Sequence, residues 1–289
     1  MSFAERAMRF TFSGAQAGSF SAAGLRAAVS IQAFPGRQGS NAQVKIWGLT
    51  LEQMTTYSSK MPRVPGLARG GIEVELFNLI IEAGDLGGNL SEILNGPVFS
   101  SYIDLSGAPD SAFNVTIMDI HEAATPRAAQ SQPGAQKAED LIANVCASAG
   151  LKFDNSAGAS SVLSNPSTYG SSIDQIAKIA TAAQFSWKKD GKKISIWQQN
   201  APIDDTVIDL GPNTDPQMVG YPSWWDAGLI VQSLYNPQIQ IARRMNVVGS
   251  SIPNANGLWK ITLVQHELTT MLAKGPWFTS AQLIPIGSP

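Results

Sequence analysis

Apolar residues recur at every second position along much of the chain, the spacing of half-buried strands and not of helices. Phe10 and Phe12 alternate with polar neighbours and predict a first short strand, and GAQAGSFSAAG (14–24) reads as a flexible stretch after it. Val29 and Ile31, the turn PGRQGSN (35–41), then Val44 and Ile46 predict a hairpin-type pair with a long Gly/Asn loop. LTLEQMTTYSS (49–59) breaks the alternation; Thr50 can cap a short helix with Leu51 and Met54 on one face. Ile72, Val74 and Leu76 alternate with Glu73 and Glu75 and run on toward Ile80 and Ile81, the cleanest strand of this half. Past a turn at 84–88, the segments 97–105 and 111–120 bring the strand-rich region to its end. So many short strands with Gly-rich turns suggest a barrel or sandwich, not a βαβ fold.

The period then changes. TPRAAQSQPGAQ (125–136) reads as a polar linker, and KAEDLIANVCASAG (137–150) as an amphipathic helix. Its stripe is Leu141, Ile142, Val145, Cys146 and Ala149, with acids in the first turn and Gly150 placed to end it. A short strand at Leu151–Phe153, a Ser/Asn/Gly loop (154–171) and a second helix from Ser171 or Ser172 to about Ala183 follow. FSWKKDGKKISIW (185–197) predicts a hairpin across Asp190-Gly191. From Ala201 the alternation returns. The stretch Tyr221–Ser250 predicts two strands, around Leu229 and Val231 and around Met245 and Val247, joined through an Asn236-Pro237 turn. ITLVQHEL (261–268) and WFTSAQLIPI (277–286) add two more.

Composition sharpens this. Of 289 residues, 44% are hydrophobic and only 15% charged, against about 25% charged in ordinary soluble domains. With 26 Gly and 17 Pro, such a surface either belongs to a small-residue-rich globular protein or is largely covered by partners. A formal net charge of −2 gives no basic field for nucleic acid. One cysteine excludes an internal disulfide framework, and no apolar run reaches the ~20 residues that cross a bilayer. Glu5, Arg6 and Arg9 interrupt any secretory-type apolar segment, so cytoplasmic folding without membrane insertion is expected.

Catalytic chemistry finds little support. His121, His266 and Cys146 cannot supply a four-ligand structural zinc site; the histidines read as sheet-end residues and Cys146 as a buried thiol. Glu73 with Glu75, or Asp204 with Asp205, could be offered as a glycosidase pair, but a chain with 22 acids presents such pairs by chance. Gly84–Gly88 lacks the Lys-Ser/Thr of a phosphate loop. Lys188, Lys189, Lys192 and Lys193 flank a hairpin turn, where lysines guard an exposed edge. Neither a cofactor nor a metal is expected. Among seven tryptophans, Trp224 and Trp225 stand out, because neighbours in an extended segment point to opposite sides. With Tyr221 they are candidates for a subunit contact, a sugar-stacking platform being the rival.

The order of modules and several local patterns resemble the baseplate hub proteins of bacteriophage tails, a family related to the hub part of the type VI secretion spike. AEDLIANVCASAGLKF followed by SSIDQIAKIATAAQFSWKKDGKKISIW is similar to the family's α/β module. VQSLYNPQIQIARRMNVVGS followed by GLWKITLVQHELTTMLAKGPWFTSAQL resembles its C-terminal text, with Asn236, Pro237, His266 and Trp277 at the matching positions. The family's usual glycine near 242 is Ala242 here. No lysozyme or peptidase module is visible.

That resemblance implies a mainly β, α+β fold: two tail-tube-like β-barrel domains with a small α/β module between them. The expected boundaries are 1–125, 126–200 and 201–289. It also implies a non-enzymatic homotrimer whose six quasi-equivalent domains join the tail tube to the central spike around the channel for DNA ejection. Expected partners are further copies of the chain, the tail tube protein, the central spike or tail-tip protein and other baseplate proteins. The tape measure protein is a further candidate, and phage DNA would pass without sequence-specific binding. The expected location is the virion tail, assembled in the host cytoplasm. A peptidoglycan-acting or glycan-binding tail protein, or a distal-tail or tube protein, is the alternative.

Overall fold

The computed structural model describes residues 5–14, 18–58, 77–120 and 126–286. Its fold is mainly antiparallel β, as the alternation predicts. Two compact units form. One takes the chain up to Ile31 with Asn41–Asp119 and His266–Trp277; the other takes Gln32–Ser40, Ile120–Gln265 and the chain from Phe278.

The first unit is built from β1 (Arg6–Gly14), β2 (Gly18–Ala23), most of β3 (Ala27–Ala33) and β4 (Ser40–Trp47), α1 (Leu51–Thr56), β5 (Asn78–Asp85), β6 (Ser91–Asp104) and β7 (Ala112–Met118). The strands lie in the order β3-β4-β7-β6-β5-β1-β2. Register places Phe10 across from Ile81 and Val44 across from Val115. The residues buried at every second position (Phe10 and Phe12, Leu79 and Ile81, Val44 and Ile46, Val115 and Ile117) are therefore stacked on shared faces. Each contributes about 1.5–3 kcal/mol of burial, which is what fixes the register.

β6 changes partner midway. Ser91–Pro97 pairs with β5, Val98–Asp104 with β7, and the register shifts between Val98 and Ser100. Gly96 sits beside this bend, where a Cβ would come within 2.9 Å of Ile117 Cγ2. α1 begins at Thr50, the expected cap, in a capping box that Gln53 completes, and buries Met54. Tyr57, just past the helix, packs 5.1 Å from Phe12.

The second unit contains β8 (Pro126–Ser131), β9 (Ala135–Lys137), α2 (Ala138–Ser148), β10 (Lys152–Asp154), β11 (Val162–Ser164), β12 (Ser167–Ser171), α3 (Ser172–Ala183), β13 (Phe185–Asp190) and β14 (Lys193–Gln198). β15 (Val207–Leu210), β16 (Ser223–Trp225), β17 (Gly228–Leu234), β18 (Arg244–Val247), β19 (Gly257–Thr270) and β20 (Trp277–Pro285) follow. The last five residues of β19 and the first of β20 belong to the first unit. Two separate hydrophobic cores form here. One gathers Leu141, Ile142, Val145, Ile176 and Ala180 from the helices with Trp187, Ile194 and Ile196. The other gathers Trp197, Leu229, Val231, Met245, Val247, Trp259, Ile261 and Leu283. Ser171 caps α3 through a reciprocal pair with Asp174, and Gly191 takes φ +54 in the β13–β14 hairpin.

Several expectations give way. The flexible stretch 14–24 contains β2, paired along its length with β1. The linker 125–136 contains β8 and β9, and the loop 154–171 contains their partners β12 and β11. Backbone pairing made these strands where side-chain alternation was silent. The two strands of Tyr221–Ser250 exist but do not pair with each other. β17 pairs with β16 and β20, and β18 with β15 and β19. The alternating Ile72–Leu76 with Glu73 and Glu75, and His121, lie outside the described residues.

Candidate functional site

β16 and β17 form a hairpin in which Trp224 faces Leu229 and Trp225 faces Gly228 across the turn Asp226-Ala227. Leu229 is fully buried in the second core, so the pleat aims Trp224 at that side and Trp225 at the opposite one. Yet Trp224 remains 55% exposed; it meets Trp259 edge-on, centroids 6.1 Å apart and planes at 71°. Trp225 is half-buried, and its indole Nε1 is buried without an acceptor among the described residues. Tyr221, just before the strand, is 74% exposed. The structure thus brings the three predicted aromatics onto one hairpin and turns two of them to solvent.

β16 is also the last strand of its sheet among the described residues, paired on one side alone. Its residues, Ser223, Trp224 and Trp225, carry no charge. The edge strand β13 is different: Lys188 and Lys189 lie on it. Lys188 is held below the ordinary lysine value by desolvation, opposed by Asp190. Lys189 departs from the expected solvated run, since it is buried and donates to the Gly191 carbonyl. Charged edges resist addition of a further strand, and an aromatic, uncharged edge does not.

The other predicted positions are structural parts. Asn236 accepts the Gln238 amide on Oδ1 at 2.7 Å, and its own amide donates to Thr279 Oγ1 at 3.3 Å. Asn236-Pro237 thereby ends β17 in a side-chain-stabilised turn tied to β20. In the first unit His266 is buried, and desolvation pushes its imidazolium down to about 4. Trp277, also buried there, lies 5.6 Å beneath the Arg6 guanidinium, which donates to the Gly275 carbonyl at 2.8 Å. Ala242 adopts φ +67, the left-handed region that glycine favours.

Asp204 and Asp205 are not set up as a hydrolytic pair, since each carboxylate is taken by its own arginine. Asp204 bonds Arg243 at 2.9 Å and Asp205 bonds Arg244 at 3.2 Å. Burial works against the Asp204 charge, but hydrogen bonds from Arg243 and the Thr206 amide outweigh it and hold the carboxyl below its usual value. Cys146 is buried, and desolvation raises its thiol to about 12. Among the described residues no three His, Cys, Asp or Glu groups come together to hold a metal, and no helix is long and apolar enough to cross a membrane.

Sequence reasoning missed Trp259 as the ring that supports Trp224. It lies 35 residues further on, and only the fold places them together.

The sequence model of the family described as "Baseplate hub gp41" matches residues 8–276. No curated protein sequence gives a match. In structure, the chain is similar to a tail protein from Neisseria meningitidis MC58, with a TM-score of 0.65 at 8% identity, covering 97% of each chain. It is also similar to the 43 kDa tail protein of prophage MuSo2 from Shewanella oneidensis (TM-score 0.59, 9% identity, 96% of each chain). A third is the c3393 protein of E. coli, described as a component of the type VI secretion system with structural similarity to the T4 tail proteins gp27 and gp5. There the TM-score is 0.57 at 10% identity, covering 90% of this chain and 73% of that one. At such identities the likeness is one of fold.

Proposed function

Since the chain belongs to the baseplate hub gp41 family, a family of structural phage tail components, we propose that it is the hub itself. In this reading three copies form a ring that joins the tail tube to the central spike and surrounds the path of the ejected DNA. The family match over 8–276 is the observation that carries it. The two hydrophobic cores of the second unit add support, because they divide near residue 197, close to the boundary at 200 between an α/β module and a second tube-like domain. Domains of 1–125, 126–200 and 201–289 are the division proposed, with residues 1–125 and 201–289 as the two tube-like barrels.

The role is structural and non-enzymatic, with no cofactor. Partners are further copies of the chain, the tube and spike proteins, other baseplate proteins and the tape measure protein. DNA passes without being read. Tyr221, Trp224 and Trp225 are proposed as part of the subunit contact: Trp224 on an uncharged edge strand and Tyr221 just before it, both exposed, form the kind of patch that interfaces bury. Size-exclusion chromatography with light scattering tests this directly. A mass of three chains is expected, and a single-chain mass at every concentration tried would sink the reading. The sugar-platform alternative draws on the same rings, and retention on immobilised peptidoglycan without trimerisation would favour it.

A further inference from the structure

A closed ring of identical chains joined head to tail needs two different patches on each chain, one the complement of the other. With the aromatic hairpin as one such patch, its complement must lie elsewhere on the chain. The first unit offers a cleft of about 610 Å³ where the start of β1, the β2–β3 and β5–β6 turns and the β19–β20 connection converge. Leu25, Leu86, Met271 and Leu272 line it, and its charged groups are Arg6, Lys274 and Glu5, two cations against one acid.

The β19–β20 connection is held firmly. Thr269 Oγ1 donates to the Pro276 carbonyl at 2.9 Å, Thr270 Oγ1 to the Leu25 carbonyl at 2.7 Å, and Arg6 to the Gly275 carbonyl. Within it Met271 and Lys274 occupy left-handed backbone at φ +54 and +58, a strained state for side-chain-bearing residues. The result is a hydrogen-bonded loop on which Met271 is 71% exposed.

We propose that this cleft receives the Tyr221–Asp226 hairpin tip of a second copy of the chain. The inference rests on the reading of that hairpin as a subunit contact, and it names the mating surface. Three features match. Thioethers and leucines suit aromatic rings. The exposed Asp226 beside Trp225 meets the cationic Arg6 and Lys274. A cleft of this volume is of the size that holds a compact group of side chains. Its preformed loop leaves little to be ordered on binding.

Site-directed cross-linking on the full chain tests it, because the native thiol, Cys146, is buried. A Ser223→Cys, Ala273→Cys double variant, which keeps Tyr221 and Met271 and changes two small exposed residues of the hairpin and the cleft, is expected to give covalent dimers and trimers on a denaturing gel after treatment with a short bis-maleimide, and each single variant none. Met271→Glu is expected to abolish the trimer seen by light scattering while leaving the circular dichroism of the folded chain unchanged, since the side chain is exposed. A trimer that persists in Met271→Glu, or a double variant that does not cross-link while wild type is trimeric, overturns the cleft and leaves the ring standing. Cross-linking by Ala273→Cys alone overturns it too, by showing cleft against cleft. A wild type that stays monomeric removes the ring and this inference together.

Discussion

The Trp224 ring stands edge-on against Trp259, 6.1 Å away, with the first ring more than half exposed and the second buried in the core. An edge-to-face pair contributes about 0.5–1.5 kcal/mol beyond its buried area, so Trp224 is fastened at its base while its outer face stays available. Trp224→Ala is therefore expected to cost the isolated chain about 1–2 kcal/mol, read from denaturant unfolding. Assembly should weaken further, by about 2 kcal/mol or more, roughly 30-fold, because aromatic anchors dominate interfaces. Comparing the unfolding midpoint with the concentration dependence of the trimer separates the two. A variant that trimerises like wild type would leave Trp224 as a core residue only.

Ala242 holds φ +67 while its amide donates to the Ile261 carbonyl at 2.8 Å and its carbonyl accepts from the Ile203 amide at 3.0 Å. Both bonds pin the conformation, so the strain of about 1–2 kcal/mol is retained. Ala242→Gly relieves it, at the expense of a buried methyl and a looser unfolded chain, and is expected to be neutral or stabilising by up to about 1 kcal/mol. Ala242→Val adds a branched side chain in the same backbone region and should destabilise by about 2 kcal/mol. Equilibrium unfolding in urea checks both; equal stability of the Gly and Val variants would contradict the left-handed assignment.

His266 makes stability depend on pH. Burial lowers its value in the folded chain to about 4, below the 6.5 of the exposed ring. Between those values the unfolded chain binds more protons than the folded one, so protonation favours unfolding. Stability is full above about pH 6.5 and falls as the pH drops toward 4, by on the order of 3 kcal/mol in total. His266→Gln should flatten the slope of unfolding free energy across that window. An unchanged slope would assign it to other groups.

What the sequence made legible was local. The Thr50 cap, the helix start at Ser171 or Ser172 and the Asp190-Gly191 turn each carry their signal within a few residues, and each lies where expected. Partner choice was not local. β8 pairs with β12 some forty residues away, and neither has an apolar pattern to announce it. β17 and β18 were visible as strands, but their true partners, β20, β15 and β19, are chosen by sheet-wide packing. Adjacency alone implied that Trp224 and Trp225 face opposite ways; which one meets solvent depended on where the core ends. The left-handed backbone at Ala242 was visible only as a missing glycine.

The hairpin that carries the aromatics depends on one close approach. Gly228 faces Trp225 in β16, and a Cβ built on it would overlap the carbonyl oxygen of Leu283 and come within 3.1 Å of Ile284 Cα. Backbone atoms of a paired strand cannot swing aside as a side chain tip can, so even a methyl group must push β17 away from β20. Overpacking of this kind costs about 1–3 kcal/mol, and here it also disturbs the ladder that holds the strand. Gly228→Ala is therefore expected to lower stability by about 2 kcal/mol and to speed amide exchange in β17 and β20 while leaving α2 and α3 protected. Assembly should fail with it, although Tyr221, Trp224 and Trp225 are untouched, because their presentation rests on this contact. Wild-type exchange rates at Leu229 and Leu283 in the variant would show that the strands have room to spare, and the hairpin's position would then have to come from Trp224 and Trp259 instead.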